Sequence, residues 1–115
     1  MTILVVDDHP SFRPIVSAVL GAEGFDVVGE AGDGAAALEA IAALRPDVVL
    51  LDVQLPDMNG FEVAIRALTG IRPPRIVLTS SRDAADFGPL VAASGARGFV
   101  AKGELSGAAV AALVG

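Results

Sequence analysis

Asp47-Val48-Val49-Leu50-Leu51-Asp52 places four bulky apolar residues in succession between two carboxylates. A half-exposed strand alternates apolar with polar residues, whereas an unbroken run of this kind is a strand covered on both faces, as in parallel sheets flanked by helices. Similar runs lie on either side of it: Thr2 to Val6 before, and Phe25 to Val28, Arg75 to Leu78 and Gly98 to Ala101 along the rest of the chain. Segments of helical period separate them. Ser11 to Leu20 sets Phe12, Ile15, Val16, Val19 and Leu20 on one stripe, with Pro14 tolerated in the first turn. Asp33-Gly34 opens a second helix over Ala35 to Leu44, which Pro46 prevents from continuing. A third runs from about Phe61 to Leu68, ahead of Gly70 and Pro73-Pro74. The fourth is expected to begin near Pro89, after Gly88, and to stop at Gly95. The last spans Leu105 to Val114. Strand and helix alternate five times, which predicts one α/β domain over residues 1–115 with helices on both sides of a parallel sheet.

Composition narrows the function. At 53% hydrophobic and 19% charged residues the chain is expected to fold. It has no cysteine, which excludes disulfide scaffolds, thiol nucleophiles and cysteine-based metal centres. Eight Lys and Arg face 14 Asp and Glu, a net charge of -6, so direct binding to nucleic-acid phosphates is not expected. No apolar stretch is long enough for a membrane span and the start lacks a basic signal-peptide region, so a cytoplasmic location and no membrane contact are expected.

The polar residues that matter sit where strands end. Asp7 and Asp8 follow the first strand, Asp52 ends the third, Thr79 the fourth and Lys102 the fifth, all at one sheet edge. Ligands of open parallel sheets bind outside the carboxyl ends of the strands, near the point where strand order reverses. Three carboxylates crowded there repel one another unless a cation joins them, and hard oxygen ligands suit Mg²⁺, which shares its shell with water and phosphate oxygens. A hydroxyl at Thr79 and an ammonium at Lys102 would neutralise the oxygens of a phosphoryl group. Asp52 is then the carboxylate placed for in-line attack, giving an aspartyl phosphate.

The acidic pair in Leu4-Val5-Val6-Asp7-Asp8-His9, Asp52 with the following Leu55-Pro56-Asp57-Met58-Asn59-Gly60, Thr79 and Lys102 together resemble the receiver domain of two-component response regulators. The resemblance covers essentially all 115 residues, and the wording around Asp52 is most like receivers with helix-turn-helix output domains, the LuxR/NarL type. It implies a flavodoxin-like, doubly wound (βα)5 fold with strand order 2-1-3-4-5. It implies that Asp52 accepts a phosphoryl group from a phosphohistidine on a sensor histidine kinase. Asp8, Asp52 and the Gln54 backbone carbonyl would bind Mg²⁺ directly, with Asp7 acting through water. Lys102 would pair with the phosphate, Thr79 would move its hydroxyl onto it, and Phe99 would turn inward as the switch aromatic. The surface of fourth helix, fifth strand and fifth helix would then change to control an output domain or partner, a phosphorylation-dependent homodimer included. Such a switch catalyses only its own phosphotransfer and autodephosphorylation.

Three departures stand out. Gly103 follows Lys102 where many members have a proline after a cis peptide, so a trans bond is expected. Phe99 lacks the hydroxyl of the commoner tyrosine, and Gly88-Pro89 would shorten the fourth helix. An aspartate-nucleophile phosphatase is a rival reading, but the acid/base position two residues after the nucleophile is Gln54. A phosphorylation-independent interaction module is the other alternative. His9, the only histidine, invites a metal-ligand role, although a solvated neighbour is the expected one.

Overall fold

Successive residues of the apolar strands part to opposite faces of a single sheet, and each face is roofed by its own helices. The computed structural model describes all 115 residues. In chain order they form β1 (Thr2–Val6), α1 (Phe12–Ala22), β2 (Asp26–Ala31), α2 (Gly34–Leu44), β3 (Val48–Asp52), α3 (Gly60–Leu68), β4 (Arg75–Ser80), α4 (Leu90–Ala93), β5 (Gly98–Ala101) and α5 (Gly107–Val114). Short 3-10 turns at Ala84–Phe87 and Lys102–Glu104 precede α4 and α5. All strand pairs are parallel and their order is β2-β1-β3-β4-β5, the doubly wound arrangement implied by the resemblance.

Leu4, Val6, Val49, Leu51, Ile76 and Leu78 pack with α2 and α3 on one face. Ile3, Val5, Val48, Leu50 and Val77 pack with α1 and α5 on the other. Two cores thus share one sheet, and burial of each large side chain contributes about 1.5–3 kcal/mol. Three helix starts are capped: Asp33 accepts from Ala36 N at 2.7 Å, Asn59 from Glu62 N at 2.9 Å and Ser106 from Ala109 N at 3.0 Å.

Several boundaries differ from the sequence expectation, each for a physical reason. β2 runs on past Val28 to Ala31, because as an edge strand it is only half buried and accepts Gly29 and Glu30. Its register with β1 shifts between Ile3 and Leu4, leaving Val28 as an extra residue. Gly29 lets α2 close down, since a Cβ there would stand 2.9 Å from Leu44 Cδ1. The α1 stripe is narrower than expected: Val16 and Leu20 are buried, whereas Ile15 and Val19 are 62% and 39% exposed. α4 is a single turn between Pro89 and Ser94, followed by Gly95 at φ 82°. α5 starts at Gly107 because Ser106 caps it, leaving Leu105 outside. No peptide bond is cis, Lys102–Gly103 included.

Candidate functional site

The strand order reverses between β1 and β3, and the residues leaving their carboxyl ends meet in the crevice between them. Asp7 and Asp52 are both buried, at 1% and 2% exposure, while Asp8 sits at the rim. The acidic oxygens of Asp7, Asp8 and Asp52 and a ring nitrogen of His9 all lie within 4.8 Å of one another. That spacing is close to the roughly 4 Å across an octahedral Mg²⁺ shell.

The backbone positions each group. Asp7 N donates to Ala31 O and Val53 N to Thr79 O, both at 3.0 Å, which ties the crevice walls to the neighbouring strands. Arg13 Nη1 donates to the Asp7 carbonyl at 2.7 Å. After Asp52 the chain turns sharply into α3. Gly60 N donates to Val53 O at 2.7 Å, and a Cβ on Gly60 would lie 2.4 Å from the Asp52 carbonyl oxygen. Only glycine permits that approach.

Lys102 reaches across from the end of β5. Its Nζ lies 2.7 Å from Asp7 Oδ2 and 3.0 Å from Asp52 Oδ2, and it also stands 4.7 Å from the Phe12 ring centroid. Asp52 Oδ1 accepts from Gln54 N at 3.0 Å. Burial pushes the Asp52 carboxyl up, and the Gln54 N–H and Lys102 only partly offset it, so it titrates above its usual range. Burial acts the same way on Asp7, but Lys102 and His9 together outweigh it and hold that carboxyl below its usual range. Burial would lower Lys102, yet the two carboxylates prevail and raise it. The crevice therefore holds a strongly retained cation between two unequal carboxylates.

Thr79 Oγ1 is buried without a hydrogen-bond partner. An orphaned hydroxyl is costly, and this one stands next to last in β4, paired with Asp52 of β3. Together with the oxygen donor set, it suits a site that receives both a hard cation and phosphoryl oxygens.

The structure thus brings Asp7, Asp8, Asp52, Thr79 and Lys102 to one edge, with Gln54 on the adjoining loop. His9 is a solvated neighbour of the acidic pair, its ring 65% exposed with Nδ1 3.1 Å from Asp7 Oδ1 and 3.0 Å from Asp8 Oδ1. Phe99 lies apart from the carboxylates, half buried, with its ring 5.9 Å from that of Phe87, which in turn meets Phe61 edge-on at 5.6 Å. Phe87 and Arg13 were not singled out from the sequence, while Phe12 was assigned to the α1 stripe and Asp57 to the motif after Asp52, neither with a contact at the site. The signal for Phe87 was an aromatic in an otherwise polar stretch before Gly88-Pro89. Asp57 accepts from Gly34 N at 2.7 Å and Ala35 N at 2.9 Å, fastening the loop after Asp52 to the start of α2.

The response regulator receiver domain family matches residues 3–113, and the chain belongs to it. Among relatives, the chain is 47% identical over 102 residues to the DNA-binding response regulator MtrA of Mycolicibacterium smegmatis, covering 87% of this chain and 43% of that protein. It is 45% identical over 101 residues to the transcriptional regulatory protein NarL of Mycobacterium tuberculosis, covering 87% and 47%. The solved signal receiver domain of Mycobacterium tuberculosis NarL superposes with a TM-score of 0.87 at 40% identity, over 99% of this chain and 96% of that one. The chain spans about half the length of the curated relatives it matches. Phosphorylation-dependent signalling is the standard role of this family, which binds Mg²⁺ at an acidic pocket. A phosphorylation-independent module is not favoured. No helix is long and apolar enough to cross a membrane.

Proposed function

We propose that residues 1–115 act as a phospho-acceptor switch in which Asp52 takes a phosphoryl group from a phosphohistidine on a sensor histidine kinase. The observation that carries this reading is the buried Asp52 carboxylate, one oxygen of which is oriented by Gln54 N and the other by Lys102 Nζ. In the transfer a carboxylate oxygen of Asp52 forms a P–O bond as the P–N bond of the donor breaks, and the imidazole leaves with the electron pair. Asp8, Asp52 and the Gln54 carbonyl would hold Mg²⁺, with Asp7 acting through water, and the ion would supply positive charge to the phosphoryl oxygens. Lys102 releases its Asp52 contact to pair with the same oxygens. The Thr79 hydroxyl, without a partner in this structure, gains one by donating to the phosphate. Phe99, which lies beside Phe87 in this structure, then turns inward, carrying the change to the face of α4, β5 and α5.

The position two residues after Asp52 is Gln54, which is no acid/base for external phosphoesters, so the chemistry proposed is the domain's own phosphotransfer and the hydrolysis of its aspartyl phosphate. The shallow apolar groove of Phe12, Ile15, Val16 and Val19 includes Lys102 in its lining, which supports docking of the phosphodonor beside the site. We further propose a cytoplasmic location, a phosphorylation-dependent homodimer through the α4, β5 and α5 face, and no nucleic-acid contact by this domain. A panel of autophosphorylated histidine kinases tests the reading. Radiolabel should pass from at least one kinase to the wild type and not to Asp52→Asn; transfer to both proteins alike would overturn the assignment. Sedimentation with and without beryllofluoride reads the dimer.

A further inference from the structure

Five of the eight basic residues of this acidic chain gather at the end of the sheet opposite the carboxylates. Arg45 ends α2, Arg72 and Arg75 lead into β4, and Arg97 precedes β5. They line a 420 Å³ groove whose other walls are Pro46, Asp47 and Pro73, the two proline rings being its only apolar side chains. None of these four arginines forms an ion pair, whereas Arg66, nearby on α3, is held by Glu62 at 2.9 Å. The one acid in the lining is already engaged: Asp47 Oδ2 accepts from Thr2 N at 2.8 Å and Thr2 Oγ1 at 3.1 Å. A second groove of 670 Å³ shares Arg45, Pro46 and Arg72 with the first and adds Leu38 and Ile41, with Ile71 at its lip 97% exposed.

Backbone conformation aims two of these side chains, one of them, Arg45, as the left-handed C-cap of α2. Only two non-glycine residues have positive φ, Arg45 at 46° and Arg72 at 57°, and both belong to this groove. The left-handed region costs a residue with a Cβ about 1 kcal/mol, a cost that glycine avoids.

We propose that this double groove binds a nucleoside di- or triphosphate, with the phosphates on Arg45, Arg72, Arg75 and Arg97 and the base against Leu38, Ile41 and Ile71. Guanidinium forks match phosphate oxygens bidentately, and both volumes fall within the roughly 300–1,000 Å³ of small-ligand sites. An acidic peptide fits less well. The prolines have no N–H to offer its backbone, and recognition would rest on side-chain charge alone.

Calorimetric titration of the whole chain in EDTA, so that the acidic edge recruits no metal-bound nucleotide, tests the proposal with ATP, GTP, adenosine, tripolyphosphate and polyglutamate. Saturable binding of a nucleotide is expected, with adenosine alone failing to bind. The pair Arg72→Ala and Arg97→Ala should weaken binding by on the order of 100-fold, about tenfold for each lost charge-assisted contact. Arg72→Gly, which relieves the left-handed strain, should keep or raise Tm while still losing about tenfold in affinity, separating lost contacts from lost folding. No saturation at millimolar nucleotide, undiminished affinity in the paired variant, adenosine binding as well as ATP, tripolyphosphate binding as well as any nucleotide, or polyglutamate binding in place of nucleotide would each overturn it.

Discussion

Lys102 is the only cation between Asp7 and Asp52, so its removal leaves two buried carboxylates facing each other. Lys102→Met should cost about 3 kcal/mol in urea unfolding at neutral pH. The loss should shrink as pH falls, because the carboxylates then protonate, and added Mg²⁺ should restore more stability to the variant than to the wild type. The sign of each acid follows from its direction. Asp52, raised in the folded protein, favours folding below its unfolded value of about 3.9, and that contribution is lost as pH rises through its folded value. Asp7, lowered, contributes stability above that range, lost as pH falls through its folded value. Thr79 gives the opposite mutational result. Because its hydroxyl is buried without a partner, Thr79→Val should stabilise the unphosphorylated protein by about 1 kcal/mol. The same change should weaken the response of the Phe99 ring to phosphorylation, read by ¹⁹F NMR of fluorinated phenylalanine.

The loop between β3 and α3 is fixed at two glycines and one acid. At Gly60 an added Cβ would strike the Asp52 backbone at 2.4 Å; at Gly34 it would meet the Met58 side chain, at 2.3 Å. A side chain can swing away and a strand backbone cannot. Gly60→Ala should therefore cost about 2 kcal/mol or more, and Gly34→Ala distinctly less, by denaturant unfolding. Asp57 accepts first from Gly34 N and then from Ala35 N, and these bonds hold its carboxyl below the usual range. Its contribution is present above the unfolded value and disappears as pH falls through the folded one. Asp57→Asn should lower Tm near neutral pH and differ little from wild type in strong acid. Central strands were legible because burial on both faces leaves an unbroken apolar run, as in Val48 to Leu51. β2 was legible only to Val28, since an edge strand tolerates Gly29 and Glu30. On α1, helical period assigned Ile15 and Val19 to the stripe, but it carries no information on how wide the partner surface is.

The two ends of the sheet carry opposite charge, and the sequence revealed them unequally. The acidic edge could be read because each of its residues immediately follows a strand, and parallel strands bring their carboxyl ends together. That rule found Asp7, Asp8, Asp52, Thr79 and Lys102. It could not find the Asp57 clasp on α2, which depends on how a loop folds back over a neighbouring helix. It also could not find the arginine groove, whose members come from three separate stretches, around Arg45, Arg72 to Arg75 and Arg97, and meet only once the strands have taken their order. The Phe61, Phe87 and Phe99 cluster was hidden for a similar reason, since Phe87 sits in a 3-10 turn with no periodicity to announce it. The role proposed for Asp52, a phosphoryl acceptor working with a divalent cation at the acidic edge, underlies everything said of the switch. Intact-mass spectrometry after incubation with acetyl phosphate addresses it directly. One added phosphoryl group is expected in Mg²⁺, none in EDTA and none in Asp52→Asn; an adduct that forms without the cation, or that persists in Asp52→Asn, would contradict this role.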